Sequence, residues 1–344
     1  MEWLSEENGP EISHFARAYE EQRAWRPLDE LGLRDMGVHG IGAAWTPLGA
    51  RPLTLIDVKA LDQIFEMRLI PPDTPSEFAE SLLPAQFLSH RLQERLGRIF
   101  PVGESVVLPS GPPEPLWRSP IGWRLSDRRK KPGMHRIRCY KKRIRGTPGF
   151  SVKRLGSGGN EVRGFLTARH VAACGAGCIV ERQTGPFHWE PAGVVRIPEE
   201  DCGGEMCEHC YSGYDVAVVD SDQPLGYLNG KGIVDLPAAL HSPIQVRMFG
   251  AISGISTGMI CGALMEYGDN PPWRNSWILI PSGIAANGDS GAPVILEEGG
   301  HALGVMVGGH RMPNSPTIAA FYVQDLSCIE REVLRPQNAW VHHR

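Results

Sequence analysis

Glycine and proline recur so closely along this chain that long helices have little room to form. The 344 residues include 40 glycines and 29 prolines, roughly one residue in five, where average usage is about 12%. Glycine weakens a helix through its backbone entropy, and proline lacks the amide hydrogen that a helix needs. The composition favours many short strands joined by turns and excludes coiled coils and helical solenoids.

From about residue 147 onward, short apolar and β-branched runs alternate with turn residues. They predict eleven short strands, over 150–155, 162–167, 178–181, 194–197, 216–220, 244–249, 259–266, 277–281, 293–296, 303–307 and 319–324. A terminal helix is predicted over 326–334. This pattern indicates an all-β sandwich or a pair of barrels.

The first 125 residues have a different texture. Apolar residues are spaced for a helix within 12–19 and again within 87–99. Prolines break the chain between these stretches, and the sequence Gly-Pro-Pro-Glu-Pro at 111–115 is the strongest linker candidate. We expect a smaller mixed α/β or partly irregular region here, with a regulatory or partner-binding role. The predicted divisions are an N-terminal region 1–125, a basic linker 126–145 and a second domain 146–335.

Charge and hydropathy exclude several classes of partner. With 35 Lys and Arg against 39 Asp and Glu, the net charge is −4, so nucleic acid is not an expected partner. A basic run at 124–145 holds eleven Lys and Arg and one acid. It is either a patch for an anionic partner, a protease-sensitive hinge, or a solvated linker with an edge strand, and the balanced overall charge favours the last. No apolar stretch is long enough to span a membrane. Because the acidic N-terminus does not resemble a secretory signal, we expect a cytoplasmic protein.

A serine bracketed by glycines is suited to be a nucleophile. Residues 287–291 read Asn-Gly-Asp-Ser-Gly and lie between two predicted strands. Acyl transfer needs an accessible hydroxyl and backbone amides aimed at the developing oxyanion, and glycines permit the tight backbone that this geometry requires. Taken alone, the motif leaves open the alternative of a Gly-Asp turn.

Two further polar residues stand at strand ends upstream of that serine. His170 follows the predicted strand 162–167, and Asp215 directly precedes the strand 216–220. A general base must be held rigidly, and a carboxylate can orient an imidazole. A single histidine at a strand end is usually structural, but His170, Asp215 and Ser290 in this order indicate a catalytic triad.

These motifs resemble those of the chymotrypsin-like (trypsin-fold) serine peptidases, and in particular their intracellular and bacterial trypsin-like branch. Four more segments carry the likeness: GTPGF at 146–150, GFLT at 164–167, FGAISGISTG at 249–258 and ALGVMVGG at 302–309. The resemblance covers about 146–334 and implies an all-β double barrel with a C-terminal helix.

The resemblance also implies an activity, that of a serine endopeptidase acting on a specific intracellular protein. His170 would be the general base and then the general acid, Asp215 would orient it, and Ser290 would attack the scissile carbonyl. The amides of Gly288 and Ser290 would form the oxyanion hole. Catalysis would need no cofactor.

Several positions bear on specificity and activation. Ile284 would form an apolar floor of the primary pocket, which predicts an uncharged, apolar or small residue before the cut, whereas His310 could instead reach a substrate carboxylate. The predicted substrate-binding residues are Ile284, Val307, Gly308, Gly309 and His310. Val171 and Ala286 replace cysteines that are common in the family, and no Ile-Val-Gly-Gly activation sequence is present. The partner of Asp289 and the trigger of activity therefore stay open.

The eight cysteines are too few for a disulfide scaffold, and in a reducing compartment we expect thiols or metal ligands. Their clusters flank His170 and Asp215 and predict a structural zinc site. The predicted ligands are Cys174, Cys178, Cys207 and Cys210, with Cys202 as a substitute and His209 as a further candidate. Free thiols or disulfides are the alternative. The isolated Cys139, Cys261 and Cys328 are predicted core thiols.

Two other functions compete with peptide hydrolysis. One is a catalytically idle peptidase fold that serves as a binding module or scaffold, and the other is esterase or transacylase chemistry on the same triad. An intact His-Asp-Ser set argues against idleness. Besides its protein substrate, a regulatory protein that docks on residues 1–125 is an expected partner.

Overall fold

The fold is described from a computed structural model. The described residues are 27–46, 49–57, 83–84, 90–98, 106–109, 114–115, 135–172, 175–197, 213–234, 244–268, 273–281, 288–311 and 318–343. The predicted helical stretch at 12–19 and the first part of the basic run, 124–134, lie outside these ranges.

Short strands dominate the described ranges, as the composition predicts. They are β1 (Val38–Thr46), β2 (Gly49–Ile56), β3 (Leu83–Pro84), β4 (Val106–Pro109), β5 (Glu114–Pro115), β6 (Ile137–Cys139), β7 (Arg145–Gly146), β8 (Ser151–Leu155), β9 (Glu161–Ala168), β10 (Ile179–Gln183), β11 (Trp189–Ile197), β12 (Val216–Asp220), β13 (Ile244–Gly250), β14 (Gly254–Tyr267), β15 (Trp273–Pro281), β16 (Pro293–Leu296), β17 (Ala302–Arg311), β18 (Ile318–Asp325) and β19 (Ala339–Val341). The α-helices are α1 (Pro27–Glu30), α2 (His90–Leu96) and α3 (Leu326–Ile329).

The first large sheet is a curled half-barrel. Its strand order is β19-β8-β9-β12-β11-β10-β6-β7, and every pairing is antiparallel. Strand β12 reads Val-Ala-Val-Val-Asp and is buried on both faces up to its last residue, as expected of a strand that lies in the middle of a curled sheet. Phe150 and Phe165 are fully buried large side chains of this half.

The second large sheet closes into a six-stranded barrel. Strands β13, β16, β17, β18, β15 and β14 pair in that order, and a further pairing of β13 with β14 completes the ring. Its interior holds Trp277, Met306 and Val323 in one apolar cluster. The barrel and the half-barrel together confirm the chymotrypsin-like double-barrel fold that the sequence motifs imply.

The N-terminal strands continue the barrel sheet. Strand β14 is fourteen residues long; its first half pairs with β13, and its second half pairs with β1. Strands β1 and β2 form a hairpin, and β4 joins β2 in parallel. Leu53 of this hairpin shares an apolar cluster with Val307 and Tyr322 of the barrel. Backbone pairing therefore attaches the described part of residues 1–125 to the second barrel.

The end of the chain forms the predicted helix and then returns to the first sheet. The Asp325 carboxylate caps α3 by accepting hydrogen bonds from the amides of Ser327 and Cys328, as is typical of a helix N-terminus. A π-helical turn, Glu330–Leu334, continues α3, so the helix predicted over 326–334 is confirmed. Strand β19 then pairs with β8.

The second half of the basic run is an edge of the first sheet. Strand β6 pairs with β10 and β7. The Arg138 Nε donates to Glu181 Oε2 at 2.7 Å, and its guanidinium lies 4.2 Å from the ring centroid of Trp189. Part of the charge in this run is therefore paired within the fold.

The cysteines correct one prediction. Cys139 is disulfide-bonded and is not an isolated thiol. Its neighbours in sequence gave no sign of a bridge, because disulfide partners meet through the fold. Cys178, Cys261 and Cys328 are buried thiols. The predictions for Cys261 and Cys328 are confirmed, and burial raises the pKa of Cys328 to about 12.

A buried carboxylate ties the N-terminal segment to β14. The Leu28 amide donates to Glu266 Oε2 at 3.1 Å, and Arg34 Nη2 lies 3.9 Å from Oε1. Glu266 is 1% exposed. Burial outweighs these two partners and raises the pKa of Glu266 to about 7.

This raised pKa predicts how stability depends on pH. The folded chain binds the Glu266 proton more tightly than the unfolded chain does, so stability falls as pH rises from about 4.5 to about 7. A shift of this size corresponds to about 3 kcal/mol at most. Urea unfolding at about pH 5 and about pH 7.5 should show this loss in the parent and a much smaller loss in Glu266→Gln. Equal losses in both chains would contradict the assignment.

Candidate active site

His170 and Asp215 meet at the end of two paired strands of the first sheet. Strands β9 and β12 pair so that Ala168 lies opposite Val216, which brings the residues that flank these ends together. The His170 Nδ1 lies 2.6 Å from Asp215 Oδ2, and the His170 amide donates to Oδ1 at 2.9 Å. Asp215 is 2% exposed. The carboxylate therefore fixes both the backbone and the ring of His170, and the other ring nitrogen, Nε2, has no hydrogen-bond partner among the described residues.

Gln324 of β18 holds Asp215 from the other barrel. Its Oε1 accepts from the Asp215 amide at 2.7 Å, and its Nε2 donates to the Gly213 carbonyl at 2.9 Å. Gln324 is fully buried. One side-chain amide thus satisfies two backbone groups beside Asp215 and fixes the start of β12 against the second barrel.

The loop that carries Ser290 packs closely against the first sheet. The Thr147 amide donates to the Ser290 carbonyl at 2.7 Å, and Thr147 Oγ1 donates to the Gly288 carbonyl at 2.9 Å. Gly291 has φ +93°, and a Cβ there would lie 2.1 Å from the Thr147 carbonyl oxygen and 3.1 Å from the Ala168 nitrogen. Only glycine fits this approach, which sets Ser290 beside the strand end that precedes His170.

Asp289 has internal partners. Its Oδ1 accepts hydrogen bonds from the amides of Ile252 at 2.9 Å and Ser253 at 3.3 Å, in the turn between β13 and β14. The residue is fully buried. These amides belong to the same chain and already stabilise the carboxylate, which the sequence had left without an assigned partner. They also help to hold the conformation of residues 288–290.

The two side-chain atoms at the centre of the candidate site lie in a closed environment. Ser290 is fully buried, and its Oγ and the His170 Nε2 have no hydrogen-bond partner within the described ranges. Gly288 has φ +100°, and no described residue accepts a hydrogen bond from the Gly288 or the Ser290 amide. Two amides at the predicted oxyanion position are therefore available to a ligand as far as the described residues go.

The predicted substrate-binding residues of β17 differ in what they contact. The side chain of Val307 packs in the apolar cluster beneath the β1–β2 hairpin, so a substrate contact there would be made by backbone. Gly308 and Gly309 are buried and pair with Pro115 and Glu114 of β5. The backbone of His310 belongs to β17, while its side chain, like the whole of Ile284, lies outside the described residues.

The predicted zinc ligands are mostly beyond the described ranges. Cys178 is 9% exposed, and Cys174, Cys207 and Cys210, with Cys202 and His209, lie outside. Among the described residues, no cluster of three or more His, Cys, Asp or Glu is placed to hold a metal ion. The zinc site stays a prediction.

The sequence motifs did not assign two residues of this site. Gln324 and Thr147 form hydrogen bonds to partners more than 100 residues away. Thr147 stands in the segment 146–150 that carries the family likeness, which was the one available signal. Nothing around Gln324 in the sequence distinguishes it from other polar residues of a strand.

Comparisons with known proteins bear on the fold. No family model and no curated protein matches the chain. Among solved structures, it is similar to Thermobifida fusca protease A, with 22% identity over 58% of this chain and 93% of that one and a TM-score of 0.38. It is also similar to Cellulomonas bogoriensis chymotrypsin, with 21% identity over 62% of this chain and 98% of that one and a TM-score of 0.40. A glutamic-acid-specific serine protease has 19% identity over 61% of this chain and 99% of that one, with a TM-score of 0.39.

With identities of 22% or less and TM-scores of 0.40 or less, these likenesses carry no argument about the reaction. No helix in the described ranges is long and apolar enough to cross a membrane. The narrower likeness to the intracellular and bacterial branch stays a prediction. In its architecture, as in its motifs, the chain resembles the chymotrypsin-like serine peptidases.

Proposed function

We propose that this chain is a serine endopeptidase whose catalytic residues are His170, Asp215 and Ser290. The observation that supports this most directly is the double hydrogen bond from His170 to the buried Asp215 carboxylate. Such a contact holds the proton on Nδ1 and leaves Nε2 free to accept one. An imidazole oriented in this way is what a serine nucleophile needs as its base.

The reaction would proceed through an acyl-enzyme. His170 Nε2 takes the proton of the Ser290 hydroxyl as Oγ attacks the scissile carbonyl, and Asp215 stabilises the imidazolium. The amides of Gly288 and Ser290 receive the oxyanion. His170 then gives its proton to the leaving amine as the C–N bond breaks. Water attacks the acyl carbon with His170 again as the base, and the Ser290 Oγ leaves, taking that proton from His170, as the carboxylic acid product is released. No cofactor takes part.

The proposed oxyanion site is held in place by the fold. Thr147 holds the Gly288 and Ser290 carbonyls from one side, and the turn at 252–253 holds Asp289 from the other. Donors that are fixed before the substrate arrives need little reorganisation as charge develops. Asp289 would accordingly need no new N-terminal amine, which supports activity without the cleavage that activates digestive enzymes.

One observation favours the alternative of an idle binding module. Ser290 is fully buried, and its Oγ donates to no described residue, His170 included. A scaffold would keep this arrangement permanently, whereas a peptidase must expose Ser290 to its substrate. Esterase or transacylase chemistry would use the same residues and would differ only in the acyl donor or acceptor that is consumed.

The substrate and partners are proposed on the same basis. The substrate would be a protein in the cytoplasm, bound by its backbone along β17. The N-terminal region would restrain or position the peptidase and recruit a regulatory protein. Side chains of its strands β1 and β2 pack against Val307 of β17. A partner bound to these strands would therefore act on β17 through that apolar contact. Membrane and nucleic acid are not proposed as partners.

Replacing the nucleophile tests the proposed reaction. Ser290→Ala removes one oxygen from a buried site and should lower the rate of peptide hydrolysis by roughly 10⁴–10⁶-fold without unfolding the chain. Asp215→Asn should lower it by about 10⁴-fold, because the amide favours the wrong imidazole tautomer. Cleavage of a proteome-derived peptide library measures both. A folded Ser290→Ala chain with near-parental activity would show that the triad is misassigned.

The same peptide library reads out specificity. If Ile284 forms the pocket floor, an Arg or Lys before the cut would leave a buried cation unpaired, at a cost of several kcal/mol. We therefore expect cleavage after apolar or small residues. The alternative is cleavage after acidic residues through His310, and His310→Ala should abolish only that preference. Efficient cleavage after Arg, with apolar sites untouched, would contradict both.

Metal analysis of reductively purified chain tests the zinc site. About one zinc per chain is expected if Cys174, Cys178, Cys207 and Cys210 bind it. The site would lack a ligand if the disulfide of Cys139 engaged Cys174, Cys207 or Cys210. Disulfide mapping of a second sample, purified without reductant, identifies the partner. A bridge to Cys174, Cys207 or Cys210, together with no bound zinc, would remove the proposed site.

A further inference from the structure

Two short strands lie along one edge of β17, and the Ser290 loop lies between them. Strand β16 pairs with the start of this edge, with Pro293 opposite Val305. Strand β5 pairs further along, with Pro115 opposite Gly308 and Glu114 opposite Gly309. Between them, the Gly291 amide donates to the Met306 carbonyl at 2.7 Å. Strand β5 therefore continues the line of β16 on the far side of Ser290.

The direction of β5 matters as much as its position. Both β16 and β5 are antiparallel to β17, so they run the same way, and the C-terminal end of β5 points toward the Ser290 loop. From Gly308 to Met306 is two positions, or about 7 Å along a strand. An extended peptide that enters the proposed catalytic site along this edge would occupy the place where β5 lies.

The sequence of this segment suits it for strand pairing at low entropic cost. Residues 111–115 read Gly-Pro-Pro-Glu-Pro. Proline fixes its own φ and drives the preceding residue toward extended backbone, so little conformational freedom is left to lose. Pro115 has no amide hydrogen, and Glu114 is therefore the one residue of β5 that can both donate to β17 and accept from it.

The attachment of the N-terminal region keeps the segment close to its site. The β1–β2 hairpin is paired with β14 of the same barrel. A segment tethered in this way competes at an effective concentration on the order of millimolar, so even a two-residue pairing can be well populated. The complete burial of Ser290 agrees with a closed site.

We propose that Glu114–Pro115 is a built-in, substrate-like occupant of the cleft, which restrains the peptidase until a peptide that pairs better displaces it. The inference rests on the proposed function, because it takes the Gly308–Gly309 edge as the backbone site of the substrate. The site would thus be regulated by its own chain. The ligand that relieves the restraint would be an extended, unfolded peptide that pairs with β17 as an antiparallel strand. An occupant of this kind raises the apparent dissociation constant of the substrate by the reciprocal of the open fraction.

A pair of matched substitutions at one position tests the proposal. Glu114→Pro removes the only amide donor of β5, whereas Glu114→Ala removes the side chain and keeps the backbone. Two readouts are needed: KM and kcat for a short peptide substrate in the full chain, and hydrogen exchange at Gly308–Gly309 in the Ser290→Ala background, which cannot digest itself. Glu114→Pro should lower KM by about tenfold with kcat unchanged and speed the exchange. Glu114→Ala should behave like the parent.

The two readouts separate this inference from the proposed function. Hydrolysis with equal KM and equal exchange in the parent and Glu114→Pro would overturn the inference and leave the peptidase assignment intact. Faster exchange in Glu114→Pro, without hydrolysis by either chain, would support the occupancy and overturn the peptidase. Absence of hydrolysis, together with unchanged exchange, would overturn both the inference and the proposed function. Equal gains in Glu114→Pro and Glu114→Ala would assign the effect to the side chain and overturn the backbone pairing.

Discussion

The buried amide of Gln324 joins the two barrels at the point on which the site depends. It accepts from the Asp215 amide and donates to the Gly213 carbonyl, so the strand that presents Asp215 is fixed by a residue of the other barrel. Thr147 makes the reciprocal connection from the half-barrel to the Ser290 loop. Because unpaired buried polar groups cost about 1–3 kcal/mol each, these bonds favour one docking geometry of the barrels. The positions of His170, Asp215 and Ser290 follow from that geometry.

The N-terminal region is joined to this arrangement by more than a linker. Strand β1 extends the barrel sheet through β14, the β1–β2 hairpin covers the outer side of Val307, and Glu266 binds the Leu28 amide. A change in these contacts would reach the cleft strand directly, since β17 has the hairpin cluster on one face and the barrel interior on the other. Regulation through the N-terminal region therefore has a physical route, and among its described residues Glu114 and Pro115 pair with β17 itself.

The sequence predicts those parts of the fold that carry a local pattern. Each of the eleven strands predicted after residue 147 has its own apolar run, and each was found. Strand β19 was not predicted, and β11, β14, β15 and β17 are longer than predicted. In β14 the added residues Gly254–Gly258 pair through backbone and carry little apolar signal. Long-range contacts are different. Gln324 and Thr147 act between residues distant in the chain, and nothing local marks them. Residues 111–115 read as a linker from their prolines, yet Glu114–Pro115 pair with β17, because proline at a sheet edge is compatible with an extended strand. The catalytic roles within the candidate site stay predictions.

Covalent labelling of the intact chain with a fluorophosphonate tests the central claim most directly, because such a probe reacts with a serine only where a base activates it. We expect one adduct, located on Ser290 by mass spectrometry, that forms faster in Glu114→Pro and is lost in Ser290→Ala and in the unfolded chain. His170→Ala should slow its formation by at least about a thousandfold. Absence of an adduct on Ser290 in both the parent and Glu114→Pro, or labelling that His170→Ala leaves unchanged, would contradict the account.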